Sequence, residues 1–232
     1  MFTAACVVGA GRVGKALAAR LGERMPTRST IRELEIGDAD LVVLCVPDRS
    51  IADVARRLPP GPWIAHTSGA GRLAELDPHT RRFSLHPLQT FTLSRGPEQV
   101  DGAWAAISGE SPEAVAAARE LAELLGVRPF EIRDEDRPLY HAAASFASAF
   151  LVTLHDVAAG LMTAAGAPPE ALDPLIVRTV ENGFQHTGPL VRDDWETVRR
   201  HGEEIAARDP DLLPLYTNLV EAEAELLGTE PR

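Results

Sequence analysis

The sequence predicts a doubly wound α/β domain followed by an all-helical half, and three observations carry that prediction. The apolar run Cys6-Val7-Val8 feeds a glycine-rich turn, Gly9-Ala10-Gly11-Arg12-Val13-Gly14, that opens into a helix-forming segment over residues 15–21. A second apolar run, Asp40-Leu41-Val42-Val43-Leu44-Cys45-Val46, closes at Pro47-Asp48, the pattern of a parallel strand buried on both faces. Past residue 133 the strand-like runs stop and helical patterns take over.

Each glycine of the G-x-G-x-x-G turn has its own task. Gly9 lets the chain turn sharply at the strand end, Gly11 leaves room for a pyrophosphate, and Gly14 lets the helix pack closely on the strand. The helix start at Arg12 and Val13 offers unpaired N–H groups and the positive end of a dipole to phosphates. Strand, turn and helix in this order read as a Rossmann-type dinucleotide site. The same stretch also matches G-x-x-x-x-G-K from Gly9 to Lys15, but a P-loop needs Ser or Thr next, and the residue there is Ala16. Lys15 therefore reads as a solvated first-turn residue.

After this helix the pattern weakens. An NAD site continues into a second strand that ends in an acidic residue about 20 positions past the glycines. Residues 22–30 carry no β-rich apolar run, so the second strand is expected to be truncated. Arg28, Ser29 and Thr30 suit a 2′-phosphate, which slightly favours NADP over NAD; the other reading is a polar loop.

Further along, a helix through Ile51, Val54, Ala55 and Leu58 is stopped by Pro59-Pro60-Gly61-Pro62. Strand-like Trp63-Ile64-Ala65 leads to His66-Thr67-Ser68-Gly69, and Arg82-Phe83-Ser84-Leu85 leads to His86-Pro87-Leu88-Gln89-Thr90-Phe91. Ligands of open α/β sheets sit outside the carboxyl ends of strands, where both polar clusters are expected. Trp104-Ala105-Ala106-Ile107 reads as a strand, residues 112–125 as a helix stopped by Gly126, and Pro129-Phe130-Glu131-Ile132 as the last strand. The charged segment 133–137 marks either a boundary or the start of a helix. The expected domains are a dinucleotide-binding domain over 1–132 and a helical substrate and dimerisation domain over 133–232.

In the second half, residues 139–155 carry no Asp, Glu, Lys or Arg, so a helix there is expected to be buried on most sides. His141, Ser145, Ser148 and His155 fall on one stripe of it, which reads either as the wall of a cleft or as a polar face paired with solvent or backbone. Later helices are expected over 171–182, 194–208 and 211–227, with a polar loop between the first two.

Composition sets outer limits. The chain has 232 residues, 45% apolar and 25% charged, with a net charge of −11, which argues against nucleic acid or an anionic membrane as partner. No uncharged apolar run approaches the roughly 20 residues of a spanning helix, and no signal peptide is visible, so a cytoplasmic protein is expected. Cys6 and Cys45 have no metal-ligand spacing; they read as reduced core residues on neighbouring strands. No metal site is expected.

Together these stretches resemble a known group. Residues 9–14, Val46-Pro47-Asp48, His66-Thr67-Ser68-Gly69, residues 84–91, Tyr140-His141-Ala142-Ala143-Ala144 and Thr187-Gly188-Pro189 resemble Rossmann-like oxidoreductases whose second half is a helical domain of unknown function. That group is related in plan to the 6-phosphogluconate dehydrogenase and ketopantoate reductase superfamily. The His-Pro pair is also similar to that of prephenate dehydrogenases, which implies that His86 and Ser68 contact a substrate hydroxyl. The chain departs from the pattern at Ala149, where the group has Asn, and at Arg192-Asp193-Asp194, where it has Arg-Gly-Asp.

The resemblance and the residues lead to an NAD(P)H-dependent reductase of a small carbonyl compound or 2-keto acid, acting as a homodimer. The cofactor would lie on Gly9, Gly11, Arg12, Val13, Gly14, Arg28, Ser29, Pro47 and Asp48. His86 or His141 would supply the proton, since an ordinary imidazole titrates near neutrality, and Ser68 would orient the carbonyl. His66, Gln89, Ser145 and Arg192 would line the substrate, with Arg192 pairing a carboxylate. The alternative is a non-catalytic binding or regulatory protein that keeps the fold with weakened cofactor binding.

Overall fold

The computed structural model describes residues 1–31 and 33–230. The strands described are β1 (Ala5–Val8), β2 (Thr27–Thr30), β3 (Leu41–Leu44), β4 (Trp63–His66), β5 (Arg82–Leu88), β6 (Trp104–Gly109) and β7 (Arg128–Glu131). They form one sheet in the order β2-β1-β3-β4-β5-β6-β7, and every neighbouring pair is parallel except β5 with β6. The order reverses at β1, which has β2 on one side and β3 on the other. In such sheets the crevice beyond the carboxyl ends at the reversal receives the ligand.

Period-2 alternation sends side chains to both faces, and both faces are dry. On β1 and β3, Ala5, Val7, Leu41 and Val43 face one core together with α1 (Arg12–Gly22) and α3 (Pro112–Leu125). Cys6, Val8, Val42 and Leu44 face a second core with α2 (Ile51–Arg57). Helix α3 has the ends its sequence predicts. Ser111 accepts from the Ala114 N–H at 3.2 Å, Pro112 opens the first turn, and Gly126 closes the helix at φ 75°.

The structure revises the expectation for the second strand. β2 has four residues, as do β1, β3 and β4, and it pairs in register with the whole of β1. What is reduced is hydrophobicity: Thr27-Arg28-Ser29-Thr30 sits at the sheet edge, where one flank of the ladder meets solvent and polar residues blunt it. The cysteines are free, and although β1 and β3 are neighbours, Cys6 belongs to one face while Cys45 packs against the other.

The chain divides into two compact units, Met1–Phe150 and Leu151–Arg232. Helix α4 (Arg137–Ala147), which the sequence reading assigned to the second half, belongs to the first unit. It is separated from α5 (Ala149–Ala164) at Ser148, whose backbone leaves the helical region at φ −133°, ψ −77°. The expected single stripe is thereby cut, and His155 approaches Asp173 in the second unit, with N···O 3.5 Å. That unit continues with α6 (Leu172–Glu181), α7 (Trp195–Arg208) and α8 (Leu213–Leu227). Asp194 caps α7 by accepting from the Thr197 N–H at 3.1 Å, and a small core of Leu190, Val198 and Ala224 joins the last two helices with the turn before them.

The uncharged helix is not buried in this chain. Phe146 is 71% exposed and Val152 61%, and no residue of α5 or α6 is buried. An 18-residue window within Asp134–Ala164 reaches a mean hydropathy of 1.4, so by length and composition alone this stretch is apolar enough to cross a membrane, which departs from the expectation of no spanning run. An apolar face without charge is equally what a helix presents to another protein chain.

Candidate active site

The first half of the site stands at the sheet reversal. Gly9 follows β1 with φ 117°, and its N–H donates to the Thr30 carbonyl at 2.9 Å. A Cβ on Gly9 would strike the Cys45 carbonyl, and one on Gly14 would strike the Gly9 carbonyl, so both positions exclude any larger residue. Gly11 differs: nothing lies within 4 Å of where its Cβ would stand. It is the N-cap of α1, and among the described residues no side chain caps that helix, so the N–H groups of Arg12, Val13 and Gly14 face the corner without a side-chain partner among them. Pro47 and Asp48 start a 3₁₀ turn just beyond β3, beside the same corner.

These residues fit a dinucleotide diphosphate: a tight glycine turn, an open approach at Gly11 and an uncapped helix start. The ribose end fits less simply. Arg28 and Ser29 are successive residues of β2, so their side chains leave opposite faces of the sheet and do not converge on one phosphate. Arg28 lies on the face of Cys6 and packs beside Gly37.

The second half of the site occupies the same edge of the sheet further along. His66 closes β4 and pairs in register with Ser84 of β5, and His86 follows two residues later, inside β5 and not beyond its end as the sequence suggested. Phe83 and Leu85 enter the core under α1 and α3, so Ser84 and His86 point to the opposite face. There the start of α4 meets them. Arg137 is fully buried; it donates to the Gly71 carbonyl at 2.7 Å, to Ser84 Oγ at 2.7 Å, to Ser108 Oγ at 3.3 Å, and to the Ser68 carbonyl. A buried guanidinium needs its N–H groups satisfied, and two strands and one loop satisfy them here.

One turn later Tyr140 and His141 face His86. The Tyr140 hydroxyl and His86 Nδ1 are 2.7 Å apart, and the His86 and His141 rings meet edge to face with centroids at 5.6 Å. His141 lies where a side chain on Gly69 would be, and its Nδ1 is buried with no hydrogen-bond partner among the described residues. Burial lowers the His86 pKa from its ordinary 6.5 to about 4, and the neighbouring His141 and Arg137 add to that. Burial likewise lowers His66 to about 3, assisted by Arg137, and raises Tyr140 to about 12. His86 is therefore a neutral imidazole at pH 7, not the near-neutral titrating group that its type alone implied.

A groove of about 660 Å³ runs along this cluster, lined on one side by His86, Gln89 and Phe130 and on the other by Tyr140, His141 and Ser145 of α4. Of the residues predicted from sequence, His86, His141, Gln89 and Ser145 thus come together. Ser68 and His66 lie beneath them, 7% and 0% exposed, and Ser68 Oγ accepts from the Gly71 N–H at 2.7 Å, which makes it a loop-holding residue. Arg192 belongs to the second unit, where it donates to the Thr187 carbonyl at 2.9 Å. Among the described residues, no cluster of His, Cys, Asp or Glu with metal-binding geometry occurs. Arg137 and Tyr140 were missed. The signal for them was available: polar His66, Ser84, His86 and Ser108 alternate with apolar residues in otherwise buried strands, and such a polar face needs a buried partner.

The fold and the glycine corner define a Rossmann-type α/β protein with a helical C-terminal region. The chain belongs to the DUF2520 family, a domain of unknown function, whose model matches residues 103–223. No curated protein matches the sequence. Among solved structures it is similar to a Bacteroides fragilis protein provisionally described as an NADP oxidoreductase, at 22% identity and a TM-score of 0.80, covering 96% of this chain and 98% of that one. A Thermotoga maritima protein matches at 23% identity and 0.69 over 94% and 99% of the two chains. A semialdehyde dehydrogenase NAD-binding protein from Cupriavidus necator, solved with calcium and NAD, matches at 18% identity and 0.63 over 92% and 97%. At these identities the likeness is one of fold.

Proposed function

We propose that the protein is an NAD(P)H-dependent reductase of a small carbonyl compound or 2-keto acid. The observation that carries this reading is the corner at Gly11, which the protein's own side chains leave open in front of an uncapped helix start. A reduced nicotinamide, when bound, supplies a hydride to the carbonyl carbon, so that with one proton on oxygen the products are an alcohol and the oxidised cofactor. Gly9, Gly11, Arg12, Val13 and Gly14 hold the diphosphate, and Pro47 and Asp48 flank it.

His86 and Tyr140 handle the proton. With the imidazole neutral and Tyr140 as the donor to Nδ1, the Nε2 proton passes to the substrate oxygen, the tyrosine proton moves to Nδ1, and the phenolate takes a proton from solvent through the groove that Tyr140 lines. Arg137 positions the loop Ser68–Gly71 by holding both carbonyls. The two related descriptions that name NADP or NAD support a nicotinamide cofactor without choosing between them. The protein acts as a cytoplasmic homodimer in this reading, the exposed apolar residues of α5 and α6 being covered by a second copy.

Titration with NADPH and NADH, followed by quenching of the three tryptophans, tests the cofactor part. Gly11→Ala is expected to leave the fold intact and to weaken binding about tenfold or more, because the methyl group enters only the diphosphate path. No saturable binding by the wild type up to millimolar cofactor would end the reductase reading. His86→Ala is expected to keep cofactor affinity and lower turnover about 100-fold or more.

A further inference from the structure

The groove beside His86 is mostly apolar. Among the described residues, no Asp, Glu, Lys or Arg lines it. Its serines are turned inward: Ser145 donates to the His141 carbonyl at 3.0 Å and Ser148 to the Ala144 carbonyl at 2.7 Å. Gln89 Oε1 accepts from the Thr90 N–H at 2.8 Å. Arg137, the cation behind the cluster, is fully buried with its N–H groups held by Gly71, Ser68, Ser84 and Ser108, so it offers nothing to a ligand. A carboxylate placed here would lose hydration with no lysine or arginine in the lining to pair it.

Two aromatic rings stand in the walls. Phe130 and Tyr140 meet edge to face with centroids at 5.9 Å, and Leu88 adds an apolar side. Ala143, Ala144 and Ala147 form a run of small residues along the α4 side of the groove. Ring walls of this kind favour aromatic or flat apolar ligands.

We propose that the groove takes an uncharged carbonyl compound with a flat apolar body in preference to a 2-keto acid, a narrowing that rests on the reductase reading of the same site. The His86–Tyr140 pair is then the polar end that meets the carbonyl oxygen, and the alanine run accommodates the body.

The test uses two probes with one body, 2-oxo-4-phenylbutanoate and its ethyl ester, which differ in charge at the same carbon. Binding to the full chain, with and without NADPH, is measured by ligand-observed NMR. The ester is expected to bind about tenfold tighter than the acid or better. Ala144→Phe is expected to abolish ester binding while the NADPH titration stays unchanged. Leu88→Lys, a substitution at a position 40% exposed, is expected to reverse the preference by placing a cation on the wall. Equal or tighter binding of the acid by the wild type would overturn the proposal, as would ester binding that survives Ala144→Phe. Tight ester binding without any oxidation of NADPH would support the neutral groove and overturn the reductase reading instead.

Discussion

The sheet of the first unit and the helices α5 and α6 are built on opposite terms. In the first, strand residues such as Val7, Val43, Ile64 and Phe83 are 0% exposed, and two cores cover both faces of the sheet. In the second, α5 and α6 bury nothing, and Leu175 and Val180 stand 61% and 49% exposed. Residues equally apolar thus serve internal packing in the sheet and remain available to another surface on these helices. Hydrophobicity along a helix shows that burial is required, and only the structure shows whether the same chain provides it.

The largest expected effect breaks the first unit at its tightest point. Gly9→Ala places a methyl group against the Cys45 carbonyl at a backbone φ of 117°, and is expected to destabilise by more than about 3 kcal/mol in chemical unfolding. Gly11→Ala, two residues away, is expected to cost about 1 kcal/mol or less. A similar loss at both would mean that the open corner at Gly11 is misread.

Acid should act on the first unit by the same logic. His86 titrates near 4 and His66 near 3 when folded, against 6.5 for an ordinary imidazole. The unfolded chain therefore takes up protons first, and stability that is complete above pH 6.5 is lost as pH falls toward 4. The expected loss is a few kcal/mol. His86→Gln should flatten part of that slope in urea titrations across the window, and an unchanged slope would remove His86 as its source.

The smallest effect on stability, and the most specific one, belongs to the second unit. Leu175→Asp with Val180→Asp removes no buried side chain, so chain stability extrapolated to low protein concentration should change by less than about 0.5 kcal/mol per site. Light scattering should nevertheless shift from dimer to monomer. A dimer that persists would place the covering surface elsewhere.

The legibility of the site followed the same division. The glycine turn was readable because strand, turn and helix are adjacent in sequence, and each glycine has a local steric task. The proton-handling pair was half readable. His86 stood out as a His-Pro motif, but its partner Tyr140 lies 54 residues away, on a helix that the charged segment before it had assigned to another domain. Arg137 was passed over for the same reason, since an arginine among acidic residues looks solvated until its burial is seen.

By itself the sequence determined the local order of strands and helices, the glycine corner and the stop at Gly126, because these depend on neighbours within a turn or two of the chain. The tertiary structure alone decided that β2 completes the sheet edge, that Arg28 and Ser29 part company across it, and that the uncharged helix breaks at Ser148. It also decided the protonation of His86, which follows from burial and from groups brought in by α4. Pairing, facing and desolvation are properties of contacts between distant segments, and no stretch of sequence contains them.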